Sequence, residues 1–464
     1  MADFISIINP ATEELIKEIS ADDGAAVAEK VARARSAQPK WANRPIEKRV
    51  ELLNRFKDLL IENVDSLADT LTAETGKPIT QSRNEILATP DRITFFAENV
   101  ARLLAAESVY GESVEGSNTP QLEEIISYDP LGVVANISAW NYPYFVGANV
   151  FVPALLTGNT VLYKPSEIAT MTGLAIADLF YQAGIPEDAF IPVVGAGQTG
   201  AALLHEKIDG VFFTGSYSTG QKIAIAAAPK LIKVQLELGG KDPAYVCSDA
   251  DVAKAAAGLA DGAFYNNGQS CCAVERIYVH TDVYEPFLEI FLQTVQSFKL
   301  GDPNSADTYL GPLSRKPQIA VVTQQVADAV DKCAKLQCGG APLDGPGFYF
   351  LPTVLTEVSH DMSVMKEETF GPVIGVQRVQ GDEEAIALMN DTNYGLTAAV
   401  YSQDRDRAVE ILQQVNSGSA YWNCCDRVSP RLPWTGRGHS GIGSTLSDAG
   451  IRTFLQPRAW HLKA

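Results

Sequence analysis

The sequence has little of what would mark a disulfide-stapled, metal-bound, nucleic-acid-binding or membrane-spanning chain. There are only seven cysteines in 464 residues, an odd number, and four of them form the vicinal pairs Cys271-Cys272 and Cys424-Cys425. That is no disulfide framework, and it predicts a reducing compartment, the cytoplasm. The five histidines (His205, His280, His360, His439, His461) lack ligand spacing. No H-E-x-x-H and no paired C-x-x-C occurs, so no metal is expected. Positive charge is in deficit, with 37 Lys and Arg against 56 Asp and Glu and a formal charge of −19. A nucleic-acid partner, which needs a basic footprint, is therefore not expected. Any phosphate-bearing cofactor must be held by local lysines and backbone amides. No apolar run reaches about 18 residues, and Met1-Ala2-Asp3-Phe4 begins without a basic or long apolar region. Neither a membrane span nor a signal peptide is expected.

A chain of this length is too long for one ordinary core, and two or three domains are expected. Near the start, Phe4–Ile8 and 14–19 flank Asn9-Pro10-Ala11-Thr12 as a hairpin. Val50, Leu53, Phe56, Leu60 and Val64 recur at helical spacing within 46–69, and a further helix is predicted over 91–106. From 132 the pattern changes to strands at 132–137, 160–163, 190–194, 210–213 and 232–236. Between them lie helices at about 144–156, 169–183, 198–205 and 217–227. Such alternation predicts a parallel sheet with helices on both faces. Ligands bind at the C-terminal ends of such strands, which singles out Asn141, Lys164, Ser216 and Glu237. A second α/β unit follows residue 240.

Two stretches carry most of the chemistry. Phe264-Tyr265-Asn266-Asn267-Gly268-Gln269-Ser270-Cys271-Cys272-Ala273 lies between an Ala-rich helical run (252–263) and the strand-like Ile277-Tyr278-Val279. A thiol on such a loop is either a nucleophile or a packed core residue. In Val234-Gln235-Leu236-Glu237-Leu238-Gly239-Gly240-Lys241 a carboxylate stands among apolar residues, where charge is seldom placed without a partner or a task.

Gly-Gln-Ser-Cys (268–271) and Leu-Glu-Leu-Gly-Gly-Lys (236–241) resemble the aldehyde dehydrogenase superfamily, and the resemblance runs from Asn9-Pro10 to the C-terminus. It implies an α/β fold: a Rossmann-type cofactor domain (1–111 and 131–239), an α/β catalytic domain (240–439) and a small oligomerisation sheet (112–130 and 455–464). That sheet would build a homodimer or homotetramer. The implied activity is oxidation of an aldehyde to the free acid through a Cys-bound thiohemiacetal and thioester, with hydride transfer to NAD or NADP. Cys271 matches the family nucleophile, with Cys272 its neighbour. Glu237 matches the general base, whose task needs a carboxyl pKa raised by apolar surroundings. Relatives that pass the acyl group to coenzyme A usually lack this glutamate. Asn141, in Ala139-Trp140-Asn141-Tyr142-Pro143, matches the oxyanion donor; read locally it is a turn residue before a helix.

For the cofactor, the resemblance implies Ile137, Ser138 and Trp140 at the first strand end, and Lys164, Ser166 and Glu167 in Lys164-Pro165-Ser166-Glu167. Leu238, Glu368 and Phe370 complete the nicotinamide end. A carboxylate at 167 accepts from a free 2′-hydroxyl and repels a 2′-phosphate, so NAD is expected over NADP. The pyrophosphate has two candidate loops. One is 215–220, with Gly215, Ser216 and Thr219 at a helix N-terminus. The other is Gly195-Ala196-Gly197-Gln198-Thr199-Gly200, a G-x-G-x-x-G whose acidic partner, Asp209, is poorly placed. The first is preferred, and Gly195 is expected near the adenine edge. Tyr142, Phe145, Cys272 and Trp434 are expected to line the substrate pocket. Pro433-Trp434-Thr435-Gly436 departs from the family's Pro-Phe-Gly-Gly. The aromatic lining suggests a medium or large apolar aldehyde; Arg427 and Arg431 offer a substrate carboxylate as the alternative.

Overall fold

Residues rich in β-branched and aromatic side chains, buried along whole strands, set the first sheet. In the computed structural model, which describes residues 3–112 and 121–463, Val133–Ile137 and Thr160–Lys164 are buried throughout, as a parallel strand covered on both faces must be. Lys233–Glu237, Gly210–Thr214, Val133–Ile137, Thr160–Lys164 and Phe190–Pro192 lie side by side in that order, all parallel. Helices Gly24–Ala42, Gly197–His205 and Tyr217–Ala227 cover one face through Val27, Val31, Leu203 and Ile223. The other face takes Pro143–Leu156 and Thr170–Gln182, backed by the N-terminal helices. The C-terminal region returns to this sheet: Gly441–Ile442 adds an antiparallel edge, with Gly441 opposite Glu237.

The second sheet runs Lys335–Cys338, Thr353–Thr356, Val373–Val379, Arg276–His280, Pro243–Val246, Thr397–Tyr401, Ser419–Trp422, parallel except at its first strand. The third is antiparallel and small, with Leu122–Pro130 between Leu455–Lys463 and Glu107–Glu112. The outermost strand thus starts at Glu107, upstream of the expected boundary at 112. Residues 113–120 and 464 of the expected oligomerisation element, and Met1 and Ala2, lie outside the described residues.

Two helix expectations are corrected. The run over 46–69 is two helices, Ile46–Glu62 and Val64–Thr75, parted at Asn63, whose side chain donates to the Leu59 carbonyl at 2.8 Å. The helix expected at 91–106 is Ile79–Leu104 and passes through Pro90. Proline removes one intrahelical donor and normally ends a helix. Here a buried stripe of Ile86, Ile93, Phe96, Val100 and Leu103 continues across it, and that packing outweighs the lost bond. This helix walls the active-site region described next.

Candidate active site

The Cys271 loop owes its shape to three successive left-handed residues: Asn266 (φ 53°), Asn267 (φ 58°) and Gly268 (φ 67°). Asn and Gly tolerate that conformation best. A Cβ on Gly268 would come within 2.5 Å of the Gly371 carbonyl. Long-range hydrogen bonds fix the loop. Asn266 N donates to Gln81 Oε1 (2.9 Å), Asn267 Nδ2 to the Gly311 carbonyl (2.6 Å), and Ser314 N to Gln269 Oε1 (3.0 Å). Gln269 is therefore the loop's anchor.

Two cavities meet at this loop. A groove of about 710 Å³ opens along the C-terminal ends of the first sheet, and a second cavity of about 450 Å³ lies beyond it. Cys271 is the single described residue lining both. Cys272 lines the second alone; it is buried and its Sγ donates to Asp426 Oδ1 at 2.9 Å. Burial pushes the Asp426 carboxyl up; the hydrogen bond to Cys271, and after it burial, push the Cys272 thiol up.

Glu237 ends its strand inside the groove that Cys271 lines. Its Oε1 accepts from Gln235 Nε2 at 2.7 Å and Thr445 Oγ1 at 3.2 Å, while Oε2 has no partner among the described residues. Burial raises its pKa to about 8, which suits a base working near neutrality. Asn141 is buried in the same groove, and its Nδ2 donates to the Gln269 carbonyl at 3.1 Å. Its own carbonyl accepts from Lys77 Nζ. Lys77 is also paired with Glu85 and sits 3.8 Å from the centre of the Tyr142 ring. Glu85 in turn accepts from the Tyr144 and Phe145 amides at the start of helix Pro143–Leu156.

Of the residues expected at the cofactor, Ile137, Ser138, Trp140, Lys164, Ser166, Glu167, Gly215, Ser216, Thr219, Leu238, Glu368 and Phe370 all line the groove. Gly195 does not: its Cβ position lies 2.0 Å from Thr199 Oγ1, and Thr199 donates to the Asp22 carbonyl. Gly195 is glycine for that packing; Gly197 and Gly200 of the same loop reach the groove. Asp209 is bonded to Arg35 and to the Val133 amide, and it serves the start of the sheet.

The groove has the features a dinucleotide requires. Ser138 Oγ is buried without a partner among the described residues. Gly239 leaves room for Glu368, whose Oε1 would lie 1.9 Å from a Cβ there. Glu368 accepts from the Gly240 amide at 3.1 Å, and burial raises its pKa to about 8. Lys164 is buried, 4.0 Å from the half-exposed Glu167 carboxylate, and burial lowers its pKa. The Trp140 and Phe370 rings meet edge to face at 5.6 Å.

Tyr142, Phe145, Cys272 and Trp434 line the second cavity, whose wall is mostly apolar. Arg92, Asn149, Ser270, Asp261 and Asp426 line it too. Arg427 reaches it from an exposed position, whereas Arg431 does not line it. Sequence reasoning missed Lys77, Glu85, Arg92 and Asp426. The available signal for Arg92 was its place on a stripe with Glu85, Thr89 and Phe96 at three- and four-residue spacing, a charge on a buried helix face.

Residues 2–460 match the aldehyde dehydrogenase family. The chain is 35% identical over 452 residues to a succinate-semialdehyde dehydrogenase (NADP(+)) of Deinococcus radiodurans, covering 97% of this chain and 93% of that one. It is 34% identical over 464 residues to the lactaldehyde dehydrogenase of Escherichia coli, covering 99% and 95%. A solved structure of the Escherichia coli lactaldehyde dehydrogenase superposes with a TM-score of 0.95 at 34% identity, over 100% of this chain and 96% of that one. PnpE in complex with nicotinamide adenine dinucleotide superposes at 0.94 and 33% identity, over 99% and 94%. The chain belongs to the aldehyde dehydrogenase family, oxidoreductases that convert aldehydes to acids with NAD(P)+.

Proposed function

We propose that Cys271 is the nucleophile, Asn141 the oxyanion donor and Glu237 the base of this oxidation. The observation that carries the reading is the position of Cys271 at the junction of two cavities, one lined by Glu237 and one by a mostly apolar substrate wall. The Cys271 sulfur adds to the aldehyde carbon and forms a thiohemiacetal. The Asn141 amide and the Cys271 backbone N–H steady the developing oxyanion. A bound nicotinamide supplies the hydride acceptor. The thioester left on Cys271 is then hydrolysed: Glu237 takes a proton from water, and the thiol is released with the free acid. Oε2 of Glu237, without a partner among the described residues, is the oxygen free to meet that water.

Lys164, Ser166 and Glu167 would hold the adenosine ribose, Gly215, Ser216 and Thr219 the pyrophosphate, and Glu368 and Phe370 the nicotinamide end; that all of them line one groove supports this. The Glu167 carboxylate favours NAD over NADP, although the Deinococcus relative carries NADP(+) in its name. The antiparallel sheet exposes Val109, Tyr110, Trp460 and Leu462, apolar side chains suited to pairing copies of this chain in a homo-oligomer. Seven free cysteines fit a cytoplasmic setting. No described helix is long and apolar enough to cross a membrane. The test is an aldehyde panel read by absorbance of the reduced cofactor, with NAD and NADP in parallel; no oxidation of any aldehyde by either would overturn the reading.

A further inference from the structure

We infer that Glu275 is a positioning residue for hydride transfer: it locks segment 368–370 beside the Cys271 loop and so fixes where the nicotinamide end of the cofactor sits. This rests on the reading above, with Glu368 and Phe370 at the nicotinamide and the aldehyde carbon on Cys271.

Glu275 comes four residues after Cys271, just ahead of strand Arg276–His280. It is 4% exposed and lines neither cavity, so it acts through its neighbours. Its Oε2 accepts from Lys241 Nζ at 2.6 Å and from the Thr369 amide at 3.0 Å, and its Oε1 accepts from the Phe370 amide at 3.1 Å. Lys241 is fully buried and also donates to Thr369 Oγ1 at 2.9 Å. It stands four residues after Glu237. One ion pair thus joins the three segments that carry the base, the nucleophile and the nicotinamide contacts.

A carboxylate that accepts from two successive backbone amides is a strong, directional anchor, and this segment needs one. Phe370 has φ 47°, a left-handed backbone that a bulky residue keeps only where its surroundings impose it. Glu368 is held from another side by the Gly240 amide at 3.1 Å. A Cβ on Gly240 would come within 2.9 Å of the Cys271 carbonyl, so the turn that holds Glu368 also abuts the backbone of the nucleophile. Hydride transfer depends steeply on the distance and angle between the donor carbon and the acceptor ring. Anchoring 369 and 370 to the chain segment that bears Cys271 keeps that distance short. Lys164, at the adenosine end, belongs to the other sheet, so loss of Glu275 should leave that end of the cofactor in place.

The test uses Glu275→Gln and reads three quantities. Hydrogen exchange of the protein without cofactor reads the anchor itself: the Thr369 and Phe370 amides should be protected in wild type and exchange at least about tenfold faster in the variant. Calorimetry with ADP-ribose, which lacks the nicotinamide, should give an affinity within about twofold of wild type. The first turnover of reduced cofactor should slow by about thirtyfold or more. Glu275→Gln leaves Lys241 buried without a counter-charge, so Lys241→Met combined with Glu275→Gln removes both charges. That pair should recover the melting temperature and keep the slow first turnover. Unprotected amides in wild type, a normal first turnover in either variant, or ADP-ribose binding weakened as much as hydride transfer would overturn the inference. Glu368→Gln separates it from the reading beneath: a slow first turnover there beside a normal one in Glu275→Gln overturns this inference alone, and normal rates in both overturn the placement of the nicotinamide as well.

Discussion

Gln235 and Glu237, two positions apart on one strand, point to the same side, and Gln235 Nε2 donates to Glu237 Oε1 at 2.7 Å. Thr445, from the distant C-terminal segment, fills the other position on that oxygen at 3.2 Å. One carboxyl oxygen is thereby fixed, and the other has no partner among the described residues.

Replacing Glu237 with Gln should separate the two half-reactions. A burst of reduced cofactor close to one per site is expected, followed by steady turnover reduced about a hundredfold or more. Stopped-flow absorbance measures both. A normal steady state would remove Glu237 from the role of base.

The raised pKa of Glu237, about 8, gives a pH signature. Turnover limited by thioester hydrolysis should rise as pH climbs through about 8, and that limb should be absent in Glu237→Gln. Stability carries the opposite sign. The folded state holds this proton where the unfolded chain has lost it, so the contribution is fully present below about 4.5 and is lost as pH rises through about 8. Glu237→Gln should therefore flatten the fall of the melting temperature between those values. A fall as steep as that of wild type would contradict the assignment.

Lys77 links the Asn141 turn to Glu85 on helix Ile79–Leu104. Lys77→Met strands the Glu85 carboxylate in the interior and should cost about 3–5 kcal/mol, read from the denaturant midpoint. Lys77→Met combined with Glu85→Gln should recover much of that stability. Its kcat should stay low, because the Asn141 carbonyl has still lost the Lys77 donor. Full recovery of kcat in the double variant would show that Lys77 only stabilises the fold.

Glu167 is half exposed and lies 4.0 Å from Lys164. Glu167→Ser removes the charge that would oppose a 2′-phosphate. The ratio of kcat/KM with NADP to that with NAD should rise by about tenfold. An unchanged ratio would place cofactor choice elsewhere.

What the sequence made legible follows from how local each signal is. The parallel sheet was readable because its strands are short apolar runs broken at regular intervals by helical ones. Cys271 and Glu237 were singled out because their immediate neighbours form short, specific patterns. A glycine fingerprint does not say which glycine faces a groove and which makes room for a neighbour, as Gly195 does for Thr199. Pro90 hid the continuity of Ile79–Leu104, and with it the wall bearing Glu85 and Arg92. The partners that shape the site come from far along the chain, as Thr445 does for Glu237 and Asp426 for Cys272. Such pairings depend on tertiary contacts that no window of sequence contains.

The covalent step is open to direct observation. Glu237→Gln mixed with an accepted aldehyde and NAD, quenched in acid, digested and sequenced by mass spectrometry should carry the acyl group on the Cys271 sulfur, and Cys271→Ala should carry none and form no reduced cofactor. An acyl group on Cys272 instead, or continued cofactor reduction by Cys271→Ala, would contradict the assignment of Cys271.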